Sequence, residues 1–196
     1  MPDTRQEKNR LNMEIDNMNN TTDPHSSTQG KQTVQYLTFK LDGESFATEI
    51  SRVREVLEYT QITPVPRSPE FMQGVINLRG SVVPVVDLRL QFGMPSVEVT
   101  VDTCIIIIEV TIEGISTVLG ALADSVQEVV ELKPEQLEAS PSFGTRIDND
   151  FIQHMGKLDD RFVMVLNMNK VFSLEQINKA EKSSTVNNDT VGTEAA

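Results

Sequence analysis

Residues 71–88 lie over residues 151–168 without a gap, and this internal repeat constrains the fold more than any other feature of the chain. Phe71-Met72-Gln73 falls on Phe151-Ile152-Gln153, Leu78 on Leu158, Val83 on Val163, Val85 on Val165 and Val86 on Leu166, with Arg79-Gly80 over Asp159-Asp160. Both copies are short β-branched runs around a turn pair, so each reads as a hairpin. Upstream, Val53-Arg54-Glu55-Val56 has a counterpart in Val126-Gln127-Glu128-Val129, again placed just after a hairpin. Two related β modules are therefore expected. About five short strands per module can curl into a barrel, but they leave apolar surface that needs a neighbour to cover it. The predicted fold is all-β, mainly strand with short helices. It places two five-stranded barrels side by side around a shared hydrophobic core, with a groove along the outside of their seam.

The rest of the chain fits this plan. Val34 to Leu41 alternates and returns through Asp42-Gly43-Glu44 to Ser45–Ile50. One helical turn then precedes a strand from Val53 to Leu57. Ser68-Pro69-Glu70 combines a capping residue, a proline and an acid in the order that opens a short helix. Pro84 removes one ladder donor, which predicts an edge strand or a bulge. Asp87 is placed to cap a helical turn through Phe92. In the second half, Thr103 to Val110 reads as a strand buried on both faces. It pairs with Thr117 to Ala123 through a long turn containing Glu113-Gly114. Val126–Leu132 follows, then a helical turn at Lys133-Pro134-Glu135, and the chain closes on a capping helix through Val171, Leu174 and Ile177.

The segment 1–33 is rich in Asn, Thr, Ser, Asp and Gln and is expected to be a disordered arm. Leu11, Ile15 and Met18 stand at helical spacing there, which predicts at most a transient helix or docking segment. Residues 181–196 have the same composition and read as a tail. The folded part is therefore residues 34–180, with modules expected at about 34–100 and 101–180.

The formal charge of −12 disfavours phosphate backbones and anionic lipid as partners. No apolar run is long enough for a membrane span, and Met1 to Arg10 lacks the apolar run of a secretory leader. A single cysteine, Cys104, permits no internal disulfide and suggests the reducing cytoplasm. Its place at the head of Ile105–Ile108 marks it as a small buried apolar residue. His25 and His154 are too far apart in sequence for a local metal site, and no cofactor is implied. Asp87 and Asp124 each precede a turn or helical start and have no histidine or carboxylate at catalytic spacing. They read as structural, and no enzymatic activity is expected.

Longer strings then point to a family. VQYLTF from Val34 to Phe39, EISRVREV from Glu49 to Val56, and GVINLRG from Gly74 to Gly80 followed by PVVDL from Pro84 to Leu88 resemble the CheW family. LGALADSV from Leu119 and Gly156–Leu166 extend the similarity over about 33–180. The resemblance implies two SH3-like barrels and a non-catalytic adaptor. Such an adaptor couples the cytoplasmic tips of methyl-accepting chemoreceptors to the regulatory domain of a CheA-type histidine kinase, within cytoplasmic arrays at the receptors. A related chemosensory pathway with a non-flagellar output is the alternative. The chain departs from the family at a lengthened Val110–Thr117 hairpin, at Asn167 where aspartate is common, and in its long N-terminal arm. Too few residues follow Lys182 for the receiver domain of the relative CheV.

The resemblance assigns partner contact to Val53, Glu55, Gly74, Asn77, Arg79 and Gly80. Physically, Arg79 at a hairpin tip is either a solvated turn residue or the partner of a nearby carboxylate, and Glu55 is the acid expected to meet it. Gly80 fits a turn that needs left-handed backbone. Gly74 either clears space for a close approach or belongs to the binding surface.

Overall fold

The computed structural model describes residues 4–19, 33–140, 147–158 and 161–173. Helix α1 (Thr4–Asn19) precedes the strands β1 (Val34–Leu41), β2 (Glu44–Glu49), β3 (Val53–Glu58), β4 (Met72–Leu78) and β5 (Ser81–Asp87). After the one-turn helix α2 (Leu88–Gln91) come β6 (Cys104–Ile112), β7 (Ile115–Ala123), β8 (Ser125–Leu132) and the short β9 (Leu137–Glu138). The strands β10 (Ile152–Leu158) and β11 (Arg161–Leu166) and the turn of helix α3 (Met168–Val171) complete the described chain. The Asp159-Asp160 turn, the capping helix beyond Ser173 and the 181–196 tail lie outside the described residues.

The strands form two sheets, ordered β8-β1-β2-β11-β10-β9 and β3-β6-β7-β5-β4. Setting aside the two-residue β9, each is a five-stranded barrel sheet, as the repeat predicts. The expected module boundary is wrong, however. Each half of the chain lends its first hairpin to the other: β1 and β2 pair with β8 and β11, while β6 and β7 pair with β3 and β5. The repeat survives this exchange in detail. Antiparallel β4–β5 shifts register between Met72 and Gly74, and β10–β11 shifts at the matching Ile152 and His154. The parallel pairings Val85↔Gly120 and Val165↔Ala47 also correspond.

Alternation explains why the central strands are buried on both faces. On β6, Cys104, Ile106, Ile108 and Val110 face the core between the barrels, while Ile105 and Ile107 fill the interior of their own barrel with Ile76, Val83 and Val85. On β1, Leu37, Phe39 and Leu41 enter the shared core, and Tyr36 points into the other barrel with Val130, Leu132 and Val163. A row of rings, Phe39, Phe46, Phe92 and Phe151, runs through the shared core with centroids 5.9, 5.9 and 5.5 Å apart. A large shared core thus lies between two smaller cores, one inside each barrel.

Burial pushes the Cys104 thiol up to about 12, because its thiolate would sit in the shared core. A thiol reagent at pH 8 is expected to label Cys104 at least about 1,000-fold more slowly in the native protein than in denaturant. Fast native labelling would contradict this packing.

Several local expectations change. Ser68-Pro69-Glu70 forms a turn closed by Met72 N–H on the Pro69 carbonyl at 2.9 Å, since the strand β4 begins before a helix can propagate. Pro84 lies inside a central strand, but it faces Val75, whose backbone N–H and C=O are both used by Thr63. The missing donor therefore points away from β4, and pairing with β7 begins only at Val85. The Val110–Thr117 region is two long strands joined by a tight pair, Glu113 and Gly114, with φ of 49° and 80°. Asp42-Gly43 and Arg79-Gly80 share positive φ at both positions, the hairpin geometry that follows strand twist.

The N-terminal arm is corrected most. Residues 4–19 are helical, and α1 seats Leu11 and Ile15, each 1% exposed, into the shared core against β3 and β8. The side chain of Met18 lies outside the described residues. Two buried aliphatics and specific polar contacts hold a helix that composition alone does not support.

Candidate protein-docking surface

The candidate residues sit around β3 and the β4–β5 hairpin. β3 and β4 are the two ends of their sheet, and curling of the sheet brings the hairpin tip back to β3. There Arg79 donates to Glu55 at 2.9 Å, as the sequence predicts, with Arg79 80% exposed and Glu55 17% exposed. A pair this accessible contributes little to stability; its geometric effect is to hold the guanidinium beside an acid at the hairpin tip. Asn77 accepts from Gly80 N–H at 2.8 Å, and Arg79 and Gly80 adopt φ of 51° and 89°. The side chain of Asn77 therefore orders the turn that aims Arg79.

Two candidates are buried beneath this surface. Val53 is 1% exposed and belongs to the shared core, because the bulge at the start of β3 turns its side chain inward. Gly74 is also buried, and a Cβ there would stand 2.1 Å from the Thr63 carbonyl oxygen and 2.9 Å from Pro64 Cα. Its φ is 141°, so the open alternative resolves toward close approach of backbone. Gly74 is what lets Thr63 pair with Val75.

Sequence reasoning missed Val82, which faces Asn77 across the hairpin and is 73% exposed. The run Val82-Val83-Pro84-Val85-Val86 has no charged or hydrogen-bonding side chain to mark which of Val82 and Val83 faces outward. It leaves an apolar side chain exposed on the same hairpin as Arg79. The other barrel repeats the arrangement: Arg161 donates to Glu128 at 2.8 Å beside an exposed Phe162, and Phe162 is the repeat equivalent of Val82.

The remaining polar groups are structural in geometry. Asp87 caps α2 by accepting from Arg89 and Leu90 N–H, and burial raises its carboxyl above the ordinary range against the lowering effect of those bonds. Asn167 caps α3 in the same manner, so its departure from aspartate preserves the role. Asp124 and Asp42 share the buried Arg89 guanidinium at 3.1 and 2.7 Å, a cluster that tethers the β1–β2 turn to α2. Arg89 escaped the sequence reading because an arginine in a helical turn looks solvent-facing. Glu109, bonded first by the Ser116 hydroxyl and then by Arg54, is held below the usual carboxylate range. His154 is on β10, away from these acids. Among the described residues no helix is long and apolar enough to cross a membrane.

Comparison with known proteins adds the family context. The CheW-like domain family model matches residues 35–176. The chemotaxis protein CheW of Klebsiella aerogenes is 30% identical over 143 residues, covering 73% of this chain and 84% of that protein. CheW of Thermotoga maritima is 31% identical over 150 residues, covering 75% and 91%. The crystal structure of the scaffolding protein TtCheW from Thermoanaerobacter tengcongensis superposes with a TM-score of 0.66 at 32% identity, over 76% of this chain and 93% of that one.

Proposed function

The chain belongs to the CheW-like domain family of chemotaxis adaptors, and from that membership we propose that it couples chemoreceptor tips to a CheA-type histidine kinase without catalysing a reaction. The observation that carries this reading is the exposed Arg79 held on Glu55 beside exposed Val82. An orienting charge pair next to an apolar contact is the composition of a protein-docking surface. The kinase regulatory domain, itself a related double barrel by the same resemblance, stacks on a barrel end. The helical receptor tip lies along the seam between the barrels. Glu55, Asn77, Arg79 and Gly80 form the first-barrel contact, with Val82 added, while Val53 and Gly74 support it from beneath. The adaptor works in the cytoplasm, recruited to membrane-bound receptor arrays.

Co-precipitation of the full chain with the cognate kinase regulatory domain and with the soluble receptor tip tests this. Both are expected to be retained. Failure to retain the kinase domain, or failure of the tip to bind even a chain whose α1 is disrupted, would overturn the proposal.

A further inference from the structure

The seam proposed above for a helical partner already holds a helix. Lys8, Leu11, Asn12 and Ile15 form one stripe of α1, at spacings of three, four and seven residues, and that stripe lies against β3 and β8, the outer strands of the two sheets. Leu11 and Ile15 enter the shared core, and the Lys8 ammonium donates to the Thr103 carbonyl at 3.4 Å. Between them the Asn12 carboxamide makes two bonds to one edge residue: it donates to the Val56 carbonyl at 2.9 Å and accepts from Val56 N–H at 2.8 Å. An edge strand offers free N–H and C=O groups, and one amide supplies the matching acceptor and donor. The groove thus reads a helix with an amide set between two aliphatic anchors.

The occupant and the groove have different origins in the chain. The family match begins at residue 35, so β3 and β8 belong to the CheW-like domain and α1 does not. Val56 adjoins Glu55, so a partner approaching Glu55 along the β3 edge meets α1 first. A helix of this length with two buried aliphatics is marginal alone, and the intervening residues 20–33 hold it at high local concentration.

We propose that α1 is a displaceable cis ligand of a helix-docking groove between β3 and β8, and that it competes with the receptor tip for this groove. The proposal rests on the receptor reading above.

The test uses the full chain, its Leu11→Asp/Ile15→Asp variant and its Asn12→Ala variant. The probes are a labelled synthetic peptide of residues 1–20 and the soluble receptor tip. The double variant is expected to bind both probes at least ten-fold more tightly than the parent, and the tip to displace the peptide from it. Asn12→Ala keeps both apolar anchors and is expected to gain a few-fold, which preserves the test should the double variant fold poorly. Equal peptide affinity for all three forms overturns the groove. A tip that binds parent and variants equally, or that leaves the peptide in place, overturns the competition alone. A tip that binds no form, while the peptide still distinguishes them, overturns the receptor reading and the competition together but leaves a helix-docking groove.

Discussion

Gly74→Ala is expected to lower unfolding free energy by about 3 kcal/mol or more, a fall of roughly 6 to 12 °C in Tm for a domain of this size. The added methyl would lie 2.1 Å from the Thr63 carbonyl oxygen and 2.7 Å from its carbon, both backbone atoms that cannot rotate away. The Thr63 segment must then leave Val75, breaking bonds of 2.9 and 2.8 Å, while the alanine also occupies a φ of 141°. Gly80→Ala is the control. Its φ of 89° is also positive, but no atom lies within 4 Å of the added carbon, so only a conformational cost of about 1 kcal/mol is expected. Urea titrations of the two variants separate collision from backbone strain. Equal losses would contradict the collision.

Arg79→Glu is expected to leave the fold intact and weaken partner binding by at least about ten-fold, since truncating a central charged anchor typically costs more than 1 kcal/mol. The site is a turn with an 80% exposed side chain, and removing an exposed ion pair changes stability by about 1 kcal/mol or less. The measurement is a Kd for the receptor tip or kinase regulatory domain beside a Tm for the variant. An unfolded variant would make Arg79 structural and remove it from the docking surface. The reversed pair, Glu55→Arg with Arg79→Glu, restores the intrachain bridge. Recovery of binding assigns Arg79 an orienting role, and continued loss assigns it direct contact with the partner.

The Glu55–Arg79 pair was legible in advance because a turn signal locates the arginine and a repeat locates the acid after a hairpin. Val53 and Gly74 were legible as special positions but not as buried ones. A bulge reverses the face of Val53, and only the position of Thr63 shows what Gly74 avoids. Val82 and Val83 are the same residue type in the same strand, yet one is exposed and the other buried. Arg89 needed the third dimension entirely, since its two acids come from residues 42 and 124.

Local chemistry by itself determined which segments are strands, where the hairpins turn and that the chain is duplicated. These depend on side-chain alternation and on the few residues that accept positive φ, all within a handful of neighbours. The partners of each strand were decided only in the tertiary structure. The unbroken apolar run Cys104–Ile108 shows that β6 must be buried on both faces, but it is silent on whether β3 or β8 lies beside it. That choice comes from packing three cores at once, and the exchange of hairpins between the barrels satisfies it. The same packing leaves the edges of β3 and β8 facing one seam, where a mostly polar arm finds a place for Leu11 and Ile15 and becomes a helix.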